Sequence, residues 1–198
     1  MIYLYGAGGH AKVIIDILEA CNKTVAGIFD EDTLKVIWNF SPSKFPGLFN
    51  FSNDELIISI GNNKIRERIS KIEATYLTAV HPSAIISKYV TIGKGTVIMG
   101  GALVNADTRI GDHCIINSHA SVDHDCILQD FVHISPNATL CGGVSVGRCS
   151  HIGSGAIVIP GKRIGDNTVI GAGAVVISDI PDNVVAVGNP ARVIKTSY

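Results

Sequence analysis

The chain has 198 residues, 46% hydrophobic and 17% charged, with Lys+Arg 16 against Asp+Glu 17 and a formal net charge of −1. That balance, with no run of Lys or Arg, excludes the positive field of a nucleic-acid binder. No stretch approaches the roughly 18 apolar residues of a membrane span, so the apolar side chains must be buried within the fold. Met1 to Tyr5 carry no basic leader, which points to a cytoplasmic protein. The five cysteines, with no C-x-x-C spacing, read as reduced thiols packed as small side chains.

Ile2 to Tyr5 reads as a short buried strand running into Gly6-Ala7-Gly8-Gly9-His10-Ala11. After this turn Val13, Ile14, Ile17, Leu18 and Cys21 fall at helical spacing. Thr24 to Phe29 forms a second strand, ending at Asp30-Glu31-Asp32, and the order strand, glycine turn, helix, strand, acid is a small βαβ unit of the doubly wound type. The turn matches G-x-G-x-x-A, yet about eighty residues are too few for both mononucleotide-binding halves of a dehydrogenase. NAD(P) is therefore not the expected ligand, and the turn instead suits a diphosphate or a sugar held close to the backbone at a helix N-terminus. Residues 33–53 match no period and carry Trp38, Phe40, Phe45, Phe49 and Phe51, which either stack on a base or plug the loop onto the sheet or a neighbouring subunit. Leu56 to Ile60 is a strand ending in Gly61-Asn62-Asn63, Ile65, Ile69 and Ile72 line one face of a following helix, and Tyr76 to Val80 is the last strand. His81-Pro82 marks a boundary between a domain of residues 1–80 and one of residues 81–198.

From Ile86 to Val176 an Ile, Leu or Val recurs at every sixth position without a break. Four residues after each comes a small or β-branched residue, as at Thr96, Cys114, Ala120, Cys126 and Ala174, with Lys162 the exception. A period of six is neither helical nor simple alternation. It fits a β-helix in which each unit makes one short strand and one corner, the aliphatic residue filling the axis and the small one fitting where strands meet. Gly93, Gly111, Gly147, Gly153, Gly165 and Gly171 directly follow an aliphatic residue, where a tight corner is expected to need φ freedom.

With this repeat the chain resembles the hexapeptide-repeat acyltransferases. The resemblance implies a left-handed parallel β-helix of triangular coils, about five of them in this run, and a homotrimer with active sites between subunits. Tyr3 to His10, Phe29-Asp30-Glu31, Ile60 to Arg66 and His81-Pro82-Ser83-Ala84 narrow it to a family that includes bacterial UDP-amino-sugar acetyltransferases and sialic acid O-acetyltransferases. The expected fold class is thus α/β plus β-solenoid, a small Rossmann-like N-terminal domain followed by the β-helix. In the amino-sugar enzymes the first domain holds the nucleotide sugar; carried over, Gly8, Gly9, His10, Asp30, Glu31 and Gly61 fall at substrate-binding positions.

Acyl transfer from a thioester needs a base, a donor for the developing oxyanion and a site that holds both reactants. Histidine is the natural base near neutral pH. His10 and His81 lie outside the coils, while His113, His119, His124, His133 and His151 avoid both inward phases and are expected to reach a groove. His124 stands out in Ser121-Val122-Asp123-His124-Asp125-Cys126, flanked by acids that can fix its tautomer. By the resemblance, in which Asn117 and the acid-His-acid-Cys stretch form one motif, His124 is the general base and Asp125 the acid that raises its basicity. Asp stands here where those enzymes usually have Glu, and Asp123 is the alternative carboxylate.

His133 matches a histidine that contacts acetyl-CoA, and Ser154 and Ala172 match positions whose backbone lines the pantetheine arm. Val187 to Arg192 resembles a closing segment of the CoA-dependent enzymes, and Lys162, Arg163, Arg192 and Lys195 are available to phosphates. By the same resemblance, in which the O-acetylating relatives less regularly carry an acid after this histidine, Asp125 favours an amine acceptor. The expected activity is therefore acetyl-CoA-dependent N-acetylation of a UDP-linked 4-amino-4,6-dideoxy sugar for bacterial glycan biosynthesis, the alternative being O-acetylation of sialic acid or another sugar hydroxyl. His133 and His151 lie one coil apart and are expected to stack on one face. That pairing keeps open a metal site of the kind held by carbonic anhydrases of this fold, but no metal is assigned, since it would leave the first domain without a purpose.

Overall fold

The structure is a computed structural model that describes residues 1–47 and 54–197. The chain opens with β1 (Ile2–Tyr5), α1 (Gly9–Ala20) and β2 (Val25–Phe29), and continues with β3 (Glu55–Ile58), α2 (Asn63–Ile69) and β4 (Thr75–Tyr76). The four strands form a parallel sheet in the order β2-β1-β3-β4. This is the doubly wound arrangement expected from the βαβ pattern, with its crevice at the carboxyl ends of the strands where the order reverses. Phe40 packs against the core of this unit and Phe45 stands edge-on to Phe29, ring centroids 5.3 Å apart, so these two rings plug the loop onto the sheet. Trp38 is exposed, and Phe49 and Phe51 lie outside the described residues.

The segment expected as one strand from Tyr76 to Val80 is divided between two sheets. Leu77 N still donates to Leu56 O in the first sheet, whereas Ala79 N donates to Thr96 O, and Ala79-Val80 pair with Val97-Ile98 as the first rung of the solenoid. The backbone crosses within two residues because partners wait on both sides. Ile14 and Leu18 of α1 share one cluster with Ala79, Val97, Met99 and Ile115, which seals the first unit against the coils.

The repeat folds as a left-handed parallel β-helix with three faces. The first face carries 97–98, 115–116, 133–134, 151–152 and 169–170; the second carries 85–86 to 175–176; the third carries 91–92 to 163–164. Each strand pairs with the one 18 residues away, as His133 does with His151. The first face is an eight-stranded sheet whose last member, Arg192–Thr196, is antiparallel, leaving seven parallel rungs against the five or so coils expected. The surplus arises because Ala79-Val80 precede the repeat and Val184–Val187 continue the sheet after its six-residue register ends.

The aliphatic series fills the axis, with Ile98, Val104, Ile116, Val122, Ile134 and Leu140 all at 0% exposure. From Thr96 on, and apart from Lys162, the small series is as deeply buried, and its Thr and Ser members are satisfied within the coil. Thr96, Thr108 and Ser150 hydroxyls each donate to a carbonyl 15 residues on, at 2.9, 2.7 and 2.6 Å. Cys114 and Cys126 occupy the same slots and bond in the same direction.

The glycines after the aliphatic residue have a different cause from the one expected. None has a positive φ; that conformation falls two residues later, at Gly95, Gly101 and Gly143 and at the non-glycine residues His113, His119, Asp125 and Phe131. Gly111 and Gly153 are glycine because the next coil passes too close. A Cβ on Gly111 would lie 2.7 Å from Asp130 N, and one on Gly153 would lie 2.6 Å from Ala172 N.

Candidate active site

At the carboxyl end of β1, Gly6 adopts φ +116°, and a Cβ there would strike the Ile60 side chain at 2.6 Å. Folding alone therefore requires glycine at this position. Gly8, Gly9 and Gly61 are different: their φ is ordinary, and a Cβ on any of them would meet nothing within 4 Å. No packing in the fold asks for glycine there, and all three leave bare backbone in the open, the arrangement that lets a ligand approach the chain closely.

Asp30 holds this turn in shape. Its carboxylate accepts from Ala7 N (2.6 Å), Asp32 N (2.8 Å) and Lys35 Nζ (3.0 Å). Burial works to raise its pKa, but those bonds outweigh burial and hold it below the usual carboxylate value. Glu31 is exposed beside it, accepts from Tyr5 Oη at 3.2 Å, and borders a cavity of about 320 Å³ lined by Tyr5, Ile60, Arg68 and Ile69. His10 opens α1 with its ring largely buried; burial first, and the Arg66 charge second, lower its pKa to about 4, and its Nε2 has no partner among the described residues.

On the first face His133 and His151 stack with ring centroids 4.6 Å apart. The Asn117 amide meets His133 Nε2 at 3.1 Å and the Ser135 hydroxyl meets His151 Nε2 at 2.7 Å. Burial, then His151, Arg66 and His10, push His133 down to about 3 against the opposing pull of the Gly61 backbone, so this imidazole is neutral at physiological pH.

His124 sits at the corner between the second and third faces, its side chain 60% exposed, with Nδ1 2.7 Å from Asp125 Oδ2. Asp125 reaches it because its own backbone takes φ +59°. Asp123 is otherwise engaged, accepting from Asn105 Nδ2 and His124 N, both at 2.8 Å. The Asp125 bond first, then the Asp123 charge, raises the His124 pKa above its ordinary value. An ionised carboxylate only accepts, so Nδ1 carries the proton and Nε2 is the nitrogen with the lone pair. The ring lies over Gly142 of the next coil, where a Cβ would stand 2.6 Å from both Cε1 and Nε2.

Asn117 is brought to His133 and makes no hydrogen bond with His124. Ser154 and Ala172 stack one coil apart at the corner between the first and second faces, both exposed, with Ser154 O accepting from Gly173 N at 2.9 Å. One chain thus displays His124 on one corner and the Asn117–His133–His151 group on another surface.

His113 corrects an expectation. It is 2% exposed, stacked 5.3 Å from the Phe131 ring and edge-on to Tyr76 at 4.5 Å, and reaches no groove. Sequence reasoning missed Gly142, Ser135 and Arg66. The first was detectable at His124 plus one coil of 18 residues, and Ser135 by its place 16 residues before His151, the offset that joins Asn117 to His133. His133 and His151 do stack, but among the described residues no group of three or more His, Cys, Asp or Glu is placed to hold a metal ion.

Residues 1–72 match the PglD N-terminal domain, and residues 89–124 match the bacterial transferase hexapeptide of six repeats. A histidine-substituted perosamine N-acetyltransferase from Caulobacter crescentus, solved with CoA and GDP-perosamine, superposes with a TM-score of 0.94 at 40% identity, over 98% of this chain and 96% of that one. The acetyltransferase domain of PglB from Neisseria gonorrhoeae FA1090, solved with acetyl coenzyme A, gives 0.90 at 34% identity over 98% of each chain. The UDP-N-acetylbacillosamine N-acetyltransferase of Bacillus subtilis (strain 168) is 44% identical over 109 residues, 50% of either chain. The chain spans half or less of the length of the curated relatives it matches, 50% of one and 23% of another.

Proposed function

This chain belongs to the hexapeptide-repeat sugar N-acetyltransferases that carry a PglD-type N-terminal domain, and on that premise we propose that it transfers the acetyl group of acetyl-CoA to the amino group of a nucleotide-linked 4-amino-4,6-dideoxy sugar. The observation that carries this is the His124–Asp125 pair, 2.7 Å apart, on a side chain 60% exposed and with Nε2 left free of that bond. Nε2 takes the proton from the sugar amine as nitrogen attacks the thioester carbonyl. The C–S bond then breaks, and the proton passes to the departing CoA thiolate, so His124 ends neutral and no acyl-enzyme forms. An amine acceptor is favoured over a hydroxyl because the relatives named for perosamine and UDP-N-acetylbacillosamine, at 40% and 44% identity, are N-acetyltransferases.

In this proposal Gly8, Gly9 and Gly61 give the nucleotide sugar its backbone approach, with His10 and Glu31 beside it and Asp30 holding the turn. His133, fixed by Asn117, faces acetyl-CoA, and Ser154 and Ala172 line its arm. The carrier nucleotide expected from the sequence is UDP. The protein acts in the cytoplasm, in glycan assembly, as a homotrimer in which His124 of one chain completes the groove of the next. The exposed Ile85, Ile127 and Ile157 on the solenoid strands support such an assembly, since they give its flanks apolar surface to bury.

The test is CoA release with acetyl-CoA and a panel of UDP- and GDP-linked 4-amino sugars and sialic acids. Transfer to an amino sugar is expected, with UDP preferred. Transfer to sialic acid alone, or to none of them, sinks the proposal. Light scattering at micromolar concentration checks the assembly, and a monomer would remove the shared site.

A further inference from the structure

The helix α2 places Asn63, Arg66 and Glu67 at i, i+3 and i+4, on one face. That face meets the solenoid at the corner between its third and first faces. Arg66 is 1% exposed and bonds to no carboxylate among the described residues. Its Nε donates to His113 O at 2.7 Å, Nη2 to Phe131 O and Asn63 Oδ1 at 2.9 Å each, and Nη1 to Ile60 O at 3.0 Å and Gly61 O at 3.1 Å. Asn63 Nδ2 donates to Cys149 O and Ser150 O, both at 3.0 Å, and Glu67 pairs with Arg148 at 2.6 Å. His113, Phe131 and Cys149 are one corner position in three successive coils, all with positive φ, so α2 grips a column of carbonyls.

A buried cation without a counter-charge is an expensive way to join two units that apolar packing could close. Its five acceptors give it a task. Ile60 and Gly61 form the end of the crevice and Phe131 lies two residues before His133, while Ser150, whose carbonyl Asn63 holds, lies next to His151. Resting on the function proposed above, we propose that Arg66, seconded by Asn63, is a positioning residue of the transfer: it fixes the Gly61 end of the crevice over the His133–His151 pair, and so fixes the acceptor relative to the coils. The same guanidinium helps to keep His10, His133 and His151 uncharged.

The test compares Arg66→Lys, which keeps the charge but cannot span five acceptors, with Asn63→Ala, which keeps the guanidinium and its four backbone acceptors but removes the Asn63 amide. Assays are run below the melting temperature of each variant, with both substrates varied. Arg66→Lys is expected to lower kcat roughly 10- to 100-fold, because a displacement near 1 Å is enough for such a loss. KM for acetyl-CoA and for the nucleotide sugar should each stay within about threefold, since each half of the site remains intact. Asn63→Ala is expected to lose about threefold to tenfold in kcat by the same route. If both variants melt earlier yet keep the wild-type kcat per folded molecule, the role is structural only and the proposal is overturned. Absence of transfer by the wild type overturns the functional reading itself, whereas an active wild type with an equally active Arg66→Lys overturns only the positioning.

Discussion

Gly142→Ala separates the placement of the general base from its presence. The added methyl would stand 2.6 Å from two atoms of the His124 ring, while ordinary contact begins near 3.4 Å, so the ring must retreat by about 0.8 Å. The ring can do this because the His124 side chain is 60% exposed, and the backbone at Gly142 has an ordinary φ. Stability should therefore change by no more than about 0.5 kcal/mol. Catalysis should not be spared, since a shift of that size moves Nε2 off the line to the acceptor nitrogen, and kcat is expected to fall roughly 10- to 100-fold with KM nearly unchanged. His124→Ala, which removes the base altogether, should cost roughly 10²- to 10⁴-fold. CoA release, followed with a thiol reagent alongside calorimetric melting, measures both quantities. A Gly142→Ala protein that melts normally and turns over at the wild-type rate would show that the His124 ring position does not matter, and the assignment of the base would fall with it.

His124 has a raised pKa, so the neutral base is lost as pH falls through a value above the ordinary 6.5; the acid limb of kcat/KM should sit there, and Asp125→Asn should move it to lower pH. Gly61→Ala should leave the melting temperature unchanged and raise KM for the nucleotide sugar at least about tenfold, whereas Gly111→Ala, whose methyl meets Asp130 N at 2.7 Å, should destabilise by about 3 kcal/mol; equal melting of the two would refute this division of the glycines. His10 and His113 are depressed to about 4 and His133 to about 3, so the unfolded chain binds more protons than the folded one below pH 6.5, and stability should be full above that value and decline as pH falls toward 4. For the 2%-exposed His113 alone the loss at pH 5 is about 2 kcal/mol, and urea titrations of His113→Leu should show a flatter dependence than the parent.

The solenoid was legible because a period-six pattern constrains two slots per unit, and the structure buries both series as the pattern requires. Corner chemistry was harder to read. A glycine at Gly111 or Gly153 looks from sequence like a demand for unusual φ, yet its cause lies in a neighbour 18 residues or so away that no local window contains. His113 misled for the same reason: outward phase places it off the axis, but α2 and Tyr76 cover that corner, and only the packed structure brings them there. Asp125 was readable beside His124 as a pair of adjacent residues, whereas the bonds of Asn117 to His133 and Ser135 to His151 each span 16 residues and required the coil length to be applied explicitly. Arg66 gave no local signal, since a basic residue on a short polar helix face is ordinarily solvated.

A solenoid is translationally repetitive, and one coil is exchangeable for another as far as axial packing is concerned. The helices break that equivalence. The first helix rests on the rungs of Ala79, Val97 and Ile115, and the second holds the carbonyls of His113, Phe131 and Cys149. Between Ala79 and Ser150 the coils are therefore indexed, each bound to a fixed height on the N-terminal unit. Gain or loss of one 18-residue turn inside that span would slide the crevice by a full rung, about 4.8 Å, past the histidines. Beyond Ile152 no helix among the described residues keeps count, so relatives of different length should differ by whole turns there, where the ruler has no marks.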